Sequence, residues 1–276
     1  MDEAFRILDD GRVFFDYGPA SMVVTARRGD ENLSDLAASA FPFLRDSLSE
    51  IAGALPILRQ YPDGMDYSEL TGLPRVMAES VLATGEPTLT PMAAVAGTVA
   101  DAMADWLFAR GADLVAVNNG GDVALRLREG RSIRMGILPD LNGRVTEIVE
   151  IRAEDGIGGV CTSGLGGRSL TRGIAGGVTV FSRRCALADA CATHIANCSY
   201  IESPRVHTCL AGEIEPESDI ASLRIVTAVE PLLPEEKKRG LMQVYEETER
   251  QWKNGNLVRV YADIQGERLT FERSAQ

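Results

Sequence analysis

Apolar and polar positions alternate with a period of two at the start of the chain and shift to a helical period soon after. Phe5 to Leu8, Arg12-Val13-Phe14-Phe15 and Met22-Val23-Val24-Thr25 read as short strands, with Asp9-Asp10-Gly11 as the first turn, which predicts an antiparallel meander. From Asn32 to Arg59, Leu36, Ala40, Phe41, Leu44, Leu48 and Ile51 recur at helical spacing, and Pro42 demands a break or a kink. A second helix is expected over Leu73 to Ala83. A third has sharper bounds: Thr90 as its cap, Pro91 in its first turn, Val95, Val99, Met103, Trp106 and Leu107 along it, and Gly111 as its stop.

A buried strand follows at Asp113 to Asn118 and runs into Asn119-Gly120-Gly121-Asp122. Val123 to Arg128 and Ser132 to Leu138 then alternate around Glu129-Gly130, and Glu147 to Arg152 reads as another strand. Ile157 to Gly177 is dense in glycine. Val178 to Phe181 is expected as a strand, Cys185 to Asn197 as a helix, Arg224 to Val229 as a strand and Pro234 to Trp252 as a charged helix. A hairpin through Leu257 to Tyr261 and Leu269 to Phe271 closes the pattern. No internal repeat, Pro/Ser-rich linker or shift in composition marks a boundary, so one intertwined α+β domain over residues 1–276 is expected.

With 276 residues, 45% of them hydrophobic, the chain can bury a substantial core. A formal charge of −12 opposes phosphate backbones and anionic lipid, and Arg27-Arg28 and Lys237-Lys238 are too short to make a basic patch. Nucleic acid and membrane are therefore not expected partners. Met1-Asp2-Glu3-Ala4-Phe5-Arg6 has no basic start leading to an apolar core, and no run of about eighteen uninterrupted apolar residues occurs. A cytoplasmic location is expected. The five cysteines (161, 185, 191, 198, 209) include no Cys-x-x-Cys pair, which argues for buried thiols rather than a disulfide framework or structural zinc. Of the two histidines, His194 falls on the helix after Cys185 and His207 on a loop, and neither belongs to a Cys-His motif.

Three features carry candidate chemistry. Gly120-Gly121, Gly158-Gly159 and Gly166-Gly167, the last close behind Thr162-Ser163-Gly164, permit close backbone approach to a phosphate or ring, or are simply hairpin turns and bulges. None has Walker A or dinucleotide-fingerprint spacing. Asp189 and Thr193 lie four residues apart and share a helix face, a hard-oxygen pair suited to Mg²⁺; the alternative is a solvated Asp and a Thr bonding back to its own helix. Gly97 inside the third helix costs about 1 kcal/mol relative to Ala and marks a tight contact. Asp101, downstream of it, belongs either to a site or, with Asp105, to a solvated acidic face.

The order of these pieces resembles the ApbE family of flavin transferases. Ala96-Gly97-Thr98-Val99-Ala100-Asp101 looks like its K-G-x-x-x-D helix, Asn118-Asn119-Gly120-Gly121-Asp122 like its N-x-G-G-D strand end, and Gly136-Ile137 with Pro139 like its G-I-x-x-P strand. Thr162-Ser163-Gly164 looks like the T-S-G turn, Val178-Thr179-Val180 like V-T-V, and Ala188-Asp189-Ala190 through Thr193 like A-D-A-x-A-T. The collinear stretch runs from Pro91 to Asn197. Thr90-Pro91-Met92-Ala93-Ala94-Val95-Ala96-Gly97 and Ile195-Ala196-Asn197 are closer to an uncharacterised branch of the superfamily, of the UPF kind.

The resemblance implies a single α+β, T-fold-like domain with mixed or antiparallel sheets, packed helices and a cleft for FAD. Mg²⁺ would be held by Asp189, Thr193 and a main-chain carbonyl near Val95. Asn119, Gly120, Gly121, Asp122, Thr162, Ser163, Gly164, Gly97 and Asp101 would serve the nucleotide; independently of the resemblance, the position of Arg168 and Arg172 in the glycine-rich loop of an acidic chain makes them candidate cations for its phosphate. The family's H-I-I-D-P segment has no counterpart between Leu165 and Gly177, and its helix Lys is Ala96 here. The catalytic group is thus unassigned. The reading implied is Mg²⁺-dependent flavin-nucleotide handling, by FMN transfer or FAD pyrophosphate cleavage, against a non-catalytic flavin-binding or delivery protein. An acceptor protein and a homodimer stay open as partners.

Overall fold

The computed structural model describes residues 5–63, 67–138, 147–167 and 169–272. The meander forms as the alternation predicts: β1 (Phe5–Ile7), β2 (Val13–Tyr17) and β3 (Ala20–Arg28) pair antiparallel, and the short β4 (Glu31–Asn32) returns on β3. The helical stretch after it is split into α1 (Ser34–Ala38), α2 (Phe41–Gly53) and α3 (Leu55–Leu58). Pro42 and Pro56 each sit within the first two positions of their helices, where the missing N–H has no intrahelical partner to lose, so each proline starts a helix instead of kinking one. Next come α4 (Gly72–Thr84), closed by Gly85 at φ 75°, and α5 (Val95–Ala109), entered through a 3₁₀ turn at Pro91–Ala94.

The remainder runs β5 (Leu114–Asn119), β6 (Asp122–Leu127), β7 (Ser132–Ile137), β8 (Glu147–Arg152), β9 (Gly159–Ser163), β10 (Gly177–Ser182) and α6 (Cys185–Cys198). Then follow β11 (Val206–Leu210), α7 (Ala211–Ile214), β12 (Arg224–Val229), α8 (Pro234–Lys253), β13 (Arg259–Ile264) and β14 (Glu267–Glu272). The main sheet has the order β1-β2-β3-β5-β6-β9-β10-β13-β14, and β7–β8 and β11–β12 are separate hairpins. Every neighbouring pair is antiparallel. The expected α+β class with antiparallel sheets is the observed one. Pro139, part of one sequence motif, lies outside the described residues.

Side-chain alternation divides the middle of the sheet between two cores. Val115 and Val117 of β5, Cys161 of β9, Val178 and Val180 of β10 and Val260 of β13 belong to the core under the helices. Val123 and Leu125 of β6, Val160 of β9, Phe181 of β10 and Tyr261 of β13 point to the other face and pack on Ile137, Val149 and Ile151 of the β7–β8 hairpin. Covering on both sides explains why these strands read as near-continuous apolar runs.

Pro91–Ala109 is long and apolar enough by composition to cross a membrane, although polar residues interrupt its apolar run. Its apolarity has a local use: Val99, Ala100, Met103, Ala104 and Leu107 are almost wholly buried among sheet and helices. Each large side chain among them contributes roughly 1.5–3 kcal/mol by leaving water. The neighbouring α6 buries Ala186, Ala188, Ala190, Ala192 and Ala196, and these small side chains let α5 and β9 approach its backbone closely.

Candidate functional site

The close approach of α5 and α6 sets the site's geometry. A Cβ on Gly97 would lie 2.5 Å from the Cys185 carbonyl oxygen and 2.8 Å from Asp189 Cβ, and one on Gly159 would lie 2.2 Å from Cys185 Cα. Only glycine fits at either place. In this packing the Gly97 N–H donates to Asp189 Oδ2 at 2.8 Å, which fixes the carboxylate against the first turn of α5. From the other side, the Asn119 side-chain amide donates to the Ala96 carbonyl at 3.2 Å and ties the end of β5 to the same turn.

The β5–β6 turn is a two-residue hairpin in which Asn119 pairs with Asp122 and Gly120 and Gly121 take φ of 72° and 115°. Positive φ at both central positions is what such a turn demands, and glycine supplies it without strain. The Gly121 N–H is held by Asn118 Oδ1 at 2.9 Å. The turn delivers Asp122 to the edge of a cleft.

That cleft consists of two cavities, of about 180 and 240 Å³, that share Val95, Ala96, Asp122, Ser169, Asp189 and Thr193. Asn119, Gly120, Thr162, Ser163 and Gly164 line the first, with Pro19, Leu48 and Val99 as apolar wall. Leu89, Met92, Arg172, Asn197, Asp219 and Ile220 line the second. Most of the residues singled out from the sequence therefore surround one space, with Asp122, Asp189 and Thr193 at its waist. Thr162 is oriented by a 2.8 Å bond between its hydroxyl and that of Thr179.

The electrostatics of the waist favour a cation. Burial, and then the charge of Asp122, push the Asp189 carboxyl well above the usual carboxylate range, against which the Gly97 N–H works alone. Among the described residues no Lys or Arg pairs with Asp189. Two carboxylates and a hydroxyl are hard oxygen donors, the set that Mg²⁺ takes when water and phosphate oxygens complete its octahedron. The residues present thus fit a divalent ion.

Other expectations move. Asp101 lines neither cavity: it is 1% exposed, binds Arg126 Nη2 at 2.7 Å and accepts the Ala186 N–H at 3.0 Å. It is neither a cleft residue nor part of a solvated face. Its carboxylate caps the N-terminus of α6, whose own cap residue Arg184 makes no side-chain cap bond. Gly97 and Gly121 shape the site from behind without lining it, and Arg168 lies outside the described residues. Thr90 stands at the N-cap position as expected, but its hydroxyl donates to Asp219 Oδ2 and makes no side-chain cap bond. His207 stands on β11, not a loop, with Glu230 at 2.9 Å.

Sequence reasoning missed the segment after α7. Glu215, Ser218, Asp219 and Ile220 come to the second cavity from a stretch with no periodicity, and its turn-forming Ser-Asp pair was the only local sign.

A second polar cluster lies behind α6. His194 Nε2 is 2.8 Å from Glu247 Oε1, and Cys198 Sγ is 4.0 Å from His194 Nδ1. Ligand atoms of His194, Cys198 and Glu247 lie within 4.8 Å of one another. However, Arg250 Nη2 stands 2.7 Å from Glu247 Oε1 and 3.2 Å from His194 Nε2, a fixed positive charge on the atoms a metal ion would need. This is an ion-pair network. Burial pulls the His194 ring down, but the Cys198 and Glu247 contacts outweigh it and lift it to about 9.

The family model described as AbpE bacteria matches residues 5–270. A UPF0280 protein from Methanococcoides burtonii is 31% identical over 180 residues, covering 65% of this chain and 74% of that protein. Another from Methanopyrus kandleri is 41% identical over 140 residues, 49% of this chain, so that the chain spans about half that relative's length (54%). Among solved structures, the flavin transferase ApbE from Vibrio cholerae shares the fold at a TM-score of 0.54 and 12% identity, over 95% of this chain and 96% of that one. The flavinyl transferase ApbE of Pseudomonas stutzeri does so at 0.51 and 13%, over 98% and 96%. With residues 5–270 matched, the chain belongs to the AbpE bacteria family, and its fold is one that the ApbE flavin transferases share.

Proposed function

We propose that this chain binds FAD together with Mg²⁺ and acts on the dinucleotide's pyrophosphate. The observation that carries this reading is the meeting of Asp122, Asp189 and Thr193 at the waist of a cleft with a chamber on either side. A dinucleotide has that form: an anionic centre with a ring system on each flank. Asp122, Asp189, Thr193 and the Val95 carbonyl would hold the ion. Asn119, Gly120, Ser163 and Gly164 wall the nucleotide in, and Arg172 faces a phosphate from the second cavity. When bound, Mg²⁺ polarises the phosphoryl oxygens and offsets the charge that develops on them.

Cleavage breaks the bridging P–O bond as water oxygen bonds to phosphorus, with its proton lost to solvent, and yields FMN and AMP. Transfer follows the same course with an acceptor hydroxyl in place of water. The fold shared with flavin transferases supports the choice of ligand.

One observation favours a second reading, in which flavin is carried and not converted. Among the described residues no His or Lys lines either chamber, and Arg172 is the basic side chain there. Incubating the protein with FAD and MgCl₂ and separating the nucleotides by chromatography decides the matter. FMN and AMP that appear with wild type and vanish with Asp189→Ala support the enzyme. Tight binding without turnover selects carriage, and absence of binding contradicts both.

A further inference from the structure

A third cavity, of about 420 Å³, opens on the far side of Arg172 and Asn197, which it shares with the second chamber of the cleft. Its volume falls within the range of about 300–1,000 Å³ typical of small-molecule sites. Glu86, His194, Cys198, Tyr200, Thr208 and Arg224 complete its wall. Two guanidinium groups therefore face one hollow on a chain whose formal charge is −12.

Both guanidinium groups are positioned by neutral oxygens. Arg224 donates Nε to Thr208 Oγ1 at 2.9 Å and Nη2 to the Thr208 carbonyl at 3.0 Å, and Arg172 donates Nη1 to Thr88 Oγ1 at 2.7 Å. Neither forms an ion pair with a carboxylate among the described residues. For half-buried Arg172 this is a departure, since Arg126, Arg131, Arg205 and Arg259, the other half-buried arginines among the described residues, each pair with a carboxylate; Arg224 is exposed at the mouth. His194 is committed to Glu247, so Glu86 is the acidic group on the wall that offsets the two arginines. A guanidinium pair oriented by neutral oxygens and only partly offset by Glu86 suits an oxyanion, since phosphate can take parallel N–H bonds from each fork. At the rim, Tyr200 leaves 41% of its surface exposed, an aromatic face on which a base can stack.

We infer that this third cavity is a nucleoside monophosphate site, with the phosphate on Arg172 and Arg224 and the base on Tyr200. In one respect this rests on the proposed function, because a pyrophosphate split in the neighbouring cleft releases such a monophosphate beside the shared Arg172. The anion site itself depends only on residues outside the waist.

Calorimetric titration with AMP in EDTA, which keeps any divalent ion out of the cleft, tests it. The expected result is metal-independent binding that survives Asp189→Asn and weakens at least tenfold in Arg224→Ala and severalfold in Tyr200→Ala, with orthophosphate and adenosine each binding more weakly than AMP. No AMP binding to wild type in EDTA overturns the inference. So does binding that is lost in Asp189→Asn but untouched by Arg224→Ala. Orthophosphate that binds as tightly as AMP overturns the nucleoside assignment. Because Arg224 lies outside the cleft, FAD turnover is read separately, and its failure leaves the AMP result intact.

Discussion

The Gly97 N–H donates to Asp189 Oδ2 at 2.8 Å, and a methyl group on residue 97 would be driven to within 2.5 Å of the Cys185 carbonyl oxygen. The contact that orients the carboxylate is thus the contact that sets the spacing of two helices. Substitution Gly97→Ala gains about 1 kcal/mol of helix propensity and loses it to a clash with backbone that cannot rotate away. The net expectation is a destabilisation of about 1–3 kcal/mol, which for a chain of this length lowers the melting temperature by roughly 2–4 °C per kcal/mol. Differential scanning calorimetry measures it. A melting temperature unchanged or raised would show that α5 and α6 can separate freely.

Asp101 satisfies Arg126 and the α6 N-terminus together. Removing it in Asp101→Ala leaves a guanidinium with 14% exposure short of a partner and the Ala186 N–H unbonded. A loss on the order of 3 kcal/mol follows from breaking a buried pair. Asp105→Ala, at a carboxylate 46% exposed, costs less than about 1 kcal/mol. Urea midpoints of the two variants compare these, and FAD affinity of folded Asp101→Ala protein is expected to match wild type. A large loss of affinity without loss of stability would return Asp101 to the binding site.

The His194–Glu247 pair gives stability a defined pH window. The folded His194 pKa of about 9 lies above the ordinary histidine value of 6.5, so its contribution is complete below 6.5 and is lost as pH rises through 9. Burial raises the Glu247 carboxyl, but bonds from His194, Arg250 and Gln251 outweigh it and hold it at about 2, below 4.5. Its contribution is complete above 4.5 and is lost as pH falls through 2. Both are present between pH 4.5 and 6.5. Thermal melts across pH should show this, and Glu247→Gln should flatten the decline between pH 6.5 and 9. An unchanged alkaline decline in that variant would contradict the assignment.

Which of these features could be read in the sequence follows a physical division. Strands and helices whose burial repeats locally, such as β3, α5 and α6, were legible because period alone places their apolar faces. Gly120-Gly121 and Asp189 with Thr193 were legible because turn geometry and the i,i+4 spacing are local as well. What was not legible depends on partners far along the chain. Thr90 has the residue type of a helix cap, but Asp219 claims its hydroxyl. Asp101 has the look of a site carboxylate, but Arg126 and Ala186 take it. Pro42 signals a break without saying how many helices result. The β11–β12 hairpin and the segment carrying Asp219 are held by tertiary contacts, and for the same reason the sequence around His207 has the look of a loop.

The central claim is that Asp189, crowded by Asp122 and buried, waits for a cation that a flavin nucleotide shares. Titrating FAD into wild type and Asp189→Asn, each with and without Mg²⁺ and followed by flavin fluorescence, tests this most directly. Without metal the Asn variant should be at least as stable as wild type, because it removes a buried charge that the cation would offset. Addition of Mg²⁺ should raise the wild-type affinity for FAD at least tenfold, about 1.4 kcal/mol, and leave the variant's unchanged. Equal gains in both proteins, or FAD affinity in wild type that ignores Mg²⁺, would contradict the account.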